Sequence, residues 1–269
     1  MTEESFKERV RQEMIKAAKQ YKDIYVDYEY LICSEVFEKN DYYIIAAEED
    51  NFQHLTGVHS KIDAKTFFNK CFDGTLTEVD FDLAKTGQNE KAAKGTVRRK
   101  IQVLPDMMTL MKSDVQVEEG FRKNRVVCSL ATADGNCTLG FSESKKARPK
   151  SLIKGNELQN PGAVDLILRK TAGSLYFDEI IVGDMATLNR FKEKIEGIVS
   201  AQLFIVDEDR EQIMYEDHIL LSEKLEDQLK AVEWAREQKK KILDDKSRRI
   251  ADALMEKMTP LILKNSAQK

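Results

Sequence analysis

Two side chains suited to acid–base chemistry at a phosphate stand close together in Asn51-Phe-Gln-His-Leu-Thr-Gly57, namely His54 and Thr56. A neutral imidazole, titrating at about 6.5, takes the proton of an attacking hydroxyl, and an adjacent threonine hydrogen-bonds a phosphate oxygen. In an extended segment residues i and i+2 share a face, so the spacing predicts that His54 and Thr56 point the same way. Cleavage of RNA at such a site needs few further parts: a cation to stabilise charge developing at phosphorus and a second proton donor. The other two histidines offer less. His59 follows Gly57-Val58 as exposed loop, and His218 sits beside acidic residues as a surface or capping residue.

Other catalytic templates are missing. The chain has no GxxxxGK[ST], GxGxxG, GxSxG or HExxH, so phosphate-loop, dinucleotide, α/β-hydrolase and zincin readings find no support. Cys33, Cys71, Cys128 and Cys137 lie far apart without a CxxC or a nearby histidine pair. They read as reduced, buried thiols rather than a zinc site, and no metal or cofactor is expected.

Charge bears on the partner. A net charge of −4 over 269 residues argues, taken alone, against nucleic acid. The total hides a division, because residues 90–154 hold 14 Lys and Arg against 7 Asp and Glu, a local +7 within a remainder of −11. A basic middle of this kind, with Arg98 and Arg99 at its head, presents a local footprint to phosphates. At 33% charged and 42% hydrophobic residues the chain has the composition of a water-soluble globular protein. No run approaches the length of a membrane span and the first residues lack the order of a signal peptide, so the expected location is the cytosol, away from membranes.

The elements that must position these side chains follow from pattern. Apolar residues from Phe6 to Tyr21 recur at three- and four-residue steps, predicting an amphipathic helix over about 4–22. Tyr28–Cys33 and Tyr42–Ala47 form a hairpin across Glu38-Lys-Asn-Asp41, and Asp63 caps a short helix, residues 64–72. A polar connection over 82–95 leads to a helix over 96–112 that Pro105 must interrupt. Two further hairpins turn at Asp134-Gly135 and at Thr171-Ala-Gly-Ser174, with a long irregular loop over 147–162 between them. A helix over 185–199 and a hairpin over 201–215 follow. From His218 onward the chain lacks glycine and repeats leucine and isoleucine at helical spacing. This predicts a helical extension as a coiled coil, a helical hairpin or a helix laid back on the domain. The fold class is therefore α+β: an N-terminal helix and hairpin, then an antiparallel sheet with helices on one face. The division falls into a domain over 1–216 and a helical arm over 217–269.

The segment Asn51–Val58, followed by Phe67–Phe72 and the hairpin Val164–Val182, resembles a phage-associated family of the barnase–EndoU–colicin–RelE ribonuclease superfamily, over about residues 10–190. The resemblance implies a helix-then-antiparallel-sheet fold and metal-free cutting of RNA by His, Ser or Thr, and Lys or Arg. Only His54 and Thr56 carry over by motif. For the cation, Lys154 in the irregular loop and Lys170 beside its turn both qualify, with Ser174 as a phosphate hydrogen bond and Arg98 and Arg99 as phosphate contacts. The expected activity is endoribonucleolytic, through attack of a ribose 2′-OH to leave a 2′,3′-cyclic phosphate. The alternative is an inactive scaffold that binds RNA or protein, or self-associates, through the C-terminal helices.

Overall fold

The computed structural model describes residues 5–111, 115–142, 144–204 and 255. The chain divides into two units, Met1–Ile198 and Val199–Lys269. In the second, the described segment is a 3₁₀ turn at Ala201–Phe204.

The first unit opens with α1 (Phe6–Tyr21), capped by the Ser5 hydroxyl accepting the Glu8 N–H. Its buried stripe is Val10, Met14, Ala17, Ala18 and Tyr21, the expected three- and four-residue spacing. After a π-turn over Lys22–Val26 come β1 (Tyr28–Cys33) and β2 (Tyr43–Ala46), α2 (Asn51–Thr56), β3 (His59–Ser60) and α3 (Ala64–Phe72). Next are β4 (Phe81–Asp82), α4 (Glu90–Val103), β5 (Gln116–Glu119), β6 (Arg122–Lys123), β7 (Val126–Val127), β8 (Leu130–Ala133), β9 (Cys137–Phe141) and β10 (Pro149–Lys154). The unit closes with β11 (Gly162–Ala163), β12 (Leu166–Thr171), β13 (Glu179–Val182), α5 (Met185–Arg190) and α6 (Lys192–Ile195). The chain is α+β, as its pattern predicts.

Two antiparallel sheets dominate, in the orders β13-β12-β1-β2 and β10-β9-β8-β5-β11. They meet where Ala147 bridges Ile45 in parallel: the Ala147 N–H donates to the Ile44 carbonyl at 2.7 Å, and the Ala46 N–H to the Ala147 carbonyl at 3.0 Å. Alternation sorts the first sheet. Tyr30, Ile32, Tyr43, Ile45 and Ile167 join the core that also takes in α1 to α4. On the opposite face the register aligns Glu29 with Ala46 and Lys170. The four cysteines are free and buried, and burial pushes the Cys33 and Cys71 thiols up to about 12.

Several expectations need correcting. Asn51–Thr56 is helical rather than extended, because Phe52 and Leu55 are fully buried three residues apart, as one face of a helix requires. The stretch 147–162 is not one long loop. Its first half forms β10, an edge strand entered at Pro149, where a missing N–H costs no ladder bond. Helix α4 begins at Glu90, capped by Asn89, so it takes up the end of the supposed polar connection, and 185–199 holds two short helices. The hairpin over 201–215 lies outside the described residues apart from the turn at Ala201–Phe204, and the arm over 217–269 lies outside them apart from Met255.

Candidate active site

His54 is exposed on α2, whose other side is pinned to the core by aromatic contacts. The Phe52 ring lies 5.2 Å from that of Tyr21 and 5.6 Å from that of Phe68, and the Tyr21 hydroxyl donates to the Glu48 carbonyl at 3.2 Å. Both α2 and α4 pack on β10. Gly57 ends α2 with φ of 77°, the left-handed region that glycine adopts without strain. Against it lies the stem of Lys100: a Cβ on Gly57 would come within 2.8 Å of Lys100 Cδ. The Lys100 ammonium donates to the His54 carbonyl at 2.6 Å, closing a C-terminal backbone acceptor of α2. Burial pushes the Lys100 pKa down to about 8, so this cation is still charged at neutrality but gives up its proton more readily than an ordinary lysine.

Thr56 does not share a face with His54. Two helical steps turn it about 200° away, and it is fully buried, its hydroxyl donating to the Gln53 carbonyl at 2.7 Å. The basic residues of α4 also diverge. Arg98 lies 5.3 Å from the centre of the Phe6 ring, Arg99 donates to the Thr96 hydroxyl at 3.4 Å, and only Lys100 reaches α2. Lys154, at the end of β10, is exposed and donates to Gln102 of α4 at 2.8 Å. His54, Lys100 and Lys154 thus stand on α2, α4 and β10, three elements packed together in what we call the ridge, where Lys100 reaches the His54 carbonyl and Lys154 reaches Gln102.

Lys170 belongs to a different cluster. Its ammonium lies 3.3 Å from Glu29 Oε2, donates to the Ser174 carbonyl at 2.6 Å and sits 4.9 Å from the centre of the Phe177 ring. Glu29 accepts Lys146 Nζ at 2.6 Å on its other oxygen. The Ser174 carbonyl, not its hydroxyl, makes the recorded contact with Lys170. Beside this cluster opens a groove of about 600 Å³ whose walls include Glu29, Glu48, Asp50, Lys65, Lys146 and Arg148. Its cations are matched: Lys146 with Glu29, Arg148 with Glu48, and Lys65 with Glu49 at 3.6 Å.

An exposed histidine, with lysines on the elements packed against its helix, supplies residue types that phosphodiester cleavage can use. The family model PBECR4, described as phage-Barnase-EndoU-ColicinE5/D-RelE like nuclease4, matches residues 13–231. The chain belongs to this nuclease family. No curated protein and no solved structure matches the chain. The PBECR4 match takes in both the ridge and the groove, and extends beyond the stretch 10–190 that carries the resemblance. Among the described residues, no three His, Cys, Asp or Glu side chains group as metal ligands would, and no helix is long and apolar enough to cross a membrane.

Lys100, Glu29 and Lys146 are not among the residues that the sequence singles out. Lys100 stands third in Arg98-Arg99-Lys100, and nothing in that run tells which residue faces α2 until the helices pack. Glu29 left a clearer signal: it is the one charged residue in the strand Tyr28-Glu-Tyr-Leu-Ile-Cys33, where burial demands a partner.

Proposed function

We propose that this nuclease is a metal-independent endoribonuclease of a phage or mobile-element setting, acting in the cytosol with its reaction centre on the α2–α4 ridge. His54 takes the proton of a ribose 2′-OH, whose oxygen bonds to the adjacent phosphorus while the P–O5′ bond breaks. The products are a 2′,3′-cyclic phosphate and a 5′-hydroxyl. Lys100 stabilises the charge gathering on the phosphate and returns a proton to the 5′-oxygen, a role suited to its lowered pKa. Lys154, Arg98 and Arg99 attract the backbone, and Thr56 positions His54 by holding the last turn of α2. The observation that carries this reading is an exposed histidine on a helix end fixed by a half-buried lysine.

A second placement of the same chemistry is favoured by one feature. Glu29 is 7% exposed, and its Oε2 accepts no hydrogen bond despite its approach to Lys170. Here Glu29 is the base, Lys170 and Lys146 are the cations, and Ser174 contacts phosphate. Cleavage of mixed RNA in EDTA, with the product ends identified, tests the reaction: cyclic phosphate termini support it, and 3′-hydroxyl termini rule it out. His54→Ala and Glu29→Gln separate the two placements.

A further inference from the structure

A second hollow, about 360 Å³, lies between the start of β2 and the β6–β7 ribbon. Its walls include Lys39, Arg122 and Lys145, together with Tyr42 and the apolar Ile44 and Val127, and among the described residues no acidic side chain lines it. The three cations are exposed, and among the described residues none is recorded in an ion pair. The Glu119 carboxylate, on β5 beside the lining Gly120, has its own partners. Glu119 accepts the backbone N–H groups of Glu38 at 3.0 Å, Lys39 at 2.9 Å and Asn40 at 3.2 Å, and the Tyr43 hydroxyl at 2.6 Å. Burial works against its charge, yet the Tyr43 hydroxyl and these N–H groups hold its pKa below the ordinary glutamate value. Glu119 therefore fixes the loop that carries Lys39, with its own charge already satisfied. Lys39 Nζ stands over Gly120, 3.0 Å from where a Cβ would be.

We infer that this hollow is a subsite for single-stranded RNA, in which Lys39, Arg122 and Lys145 hold backbone phosphates and Tyr42 stacks on a base. Three cations with no ion-pair partner among the described residues, around a partly exposed aromatic ring, are the combination that binds single strands without reading sequence. The neighbouring groove lacks it, since its cations already have carboxylates. The hollow adjoins that groove. Ile44 lines one and Ala46 the other, on the same outward face of β2 and about 7 Å apart along the strand, while Lys145 and Lys146 divide between them. The subsite rests on the nuclease reading, under either placement of the reaction centre.

The test is binding of the full chain to a 2′-O-methyl oligoribonucleotide, which lacks the attacking hydroxyl and stays intact whatever the catalytic residue. Failure of the cleavage mechanism therefore leaves this measurement standing. Changing Lys39, Arg122 and Lys145 together to Gln should weaken binding at least about tenfold at low salt. It should also flatten the dependence of log K on log salt by about 2, at roughly 0.7 per phosphate on a single strand. A matched variant with Lys19, Lys85 and Lys91 changed to Gln removes the same charge elsewhere and should lose far less. Tyr42→Ala should weaken binding about tenfold, with Tyr42→Phe close to wild type. No binding by the wild type, or equal losses in the two triple variants, overturns the assignment.

Discussion

The ridge and the groove each pair a proton acceptor with lysine, and they differ in what those charges are already doing. On the ridge, His54 is exposed and Lys100 is held by a neutral carbonyl, and among the described residues neither is matched to an opposite charge. In the groove, Glu29 binds Lys146 and lies against Lys170, a pair in which both side chains are 9% exposed. That cluster joins three segments, since Glu29 is on β1, Lys170 on β12 and Lys146 in the link before β10. The difference teaches that proximity of acid and base types is a poor guide to chemistry. A charge already neutralised by its neighbour resists recruitment by substrate, and its first use is to hold strands together.

Removing charges one at a time sharpens this contrast. The largest effect on stability is expected for Glu29→Ala, which leaves Lys170 buried without its partner. Urea denaturation should show a loss of about 3 kcal/mol, the cost of breaking a buried pair. A loss below about 1 kcal/mol would return Glu29 to the list of groups free for catalysis.

Lys100 should show itself in the pH dependence of stability. Its folded pKa of about 8 lies below its ordinary value of 10.5, so between these limits the unfolded chain binds more protons. Stability therefore rises with pH across that window, by at most about 3 kcal/mol and by less to the extent that water screens the ammonium. In Lys100→Met this rise should disappear, read by denaturation from pH 7 to 10.5; an unchanged profile would mean that Lys100 is fully solvated.

Thr56→Val should have the smallest effect. Losing the bond to the Gln53 carbonyl costs about 1 kcal/mol, and RNA cleavage should stay within about threefold once the folded fraction is matched. A hundredfold loss in a folded Thr56→Val protein would restore Thr56 as a contact to phosphate.

Much of the fold was legible because it depends on local rules. The period of α1, the Asp63 cap and the hairpins flanking Asp134-Gly135 and Thr171–Ser174 all lie in short stretches of chain. The site was less legible, since its geometry comes from packing. His54 is visible by type, but a six-residue helix carries too few turns to announce its period, so the pattern suggests an extended segment with Thr56 beside His54. Lys154, expected in an irregular loop, and Lys170, expected beside a turn, are equal candidates for the cation by type. Only the sheets reveal that one ends an edge strand against α4, while the other is central and paired. The β10 strand was hidden by Pro149 and Gly155, residues that mark loops elsewhere and here mark the ends of an edge.

The central claim, that the reaction centre lies on the ridge, is tested most directly by rates of cleavage of single-stranded RNA in EDTA. Wild type, His54→Ala and Glu29→Gln would be compared at equal folded fraction. With the reaction centre on the ridge, the rate should fall at least about a hundredfold for His54→Ala, the usual share of a general base, and less than about tenfold for Glu29→Gln, with cyclic phosphate ends throughout. Full activity in His54→Ala beside an inactive, folded Glu29→Gln protein would contradict it and move the chemistry to the groove.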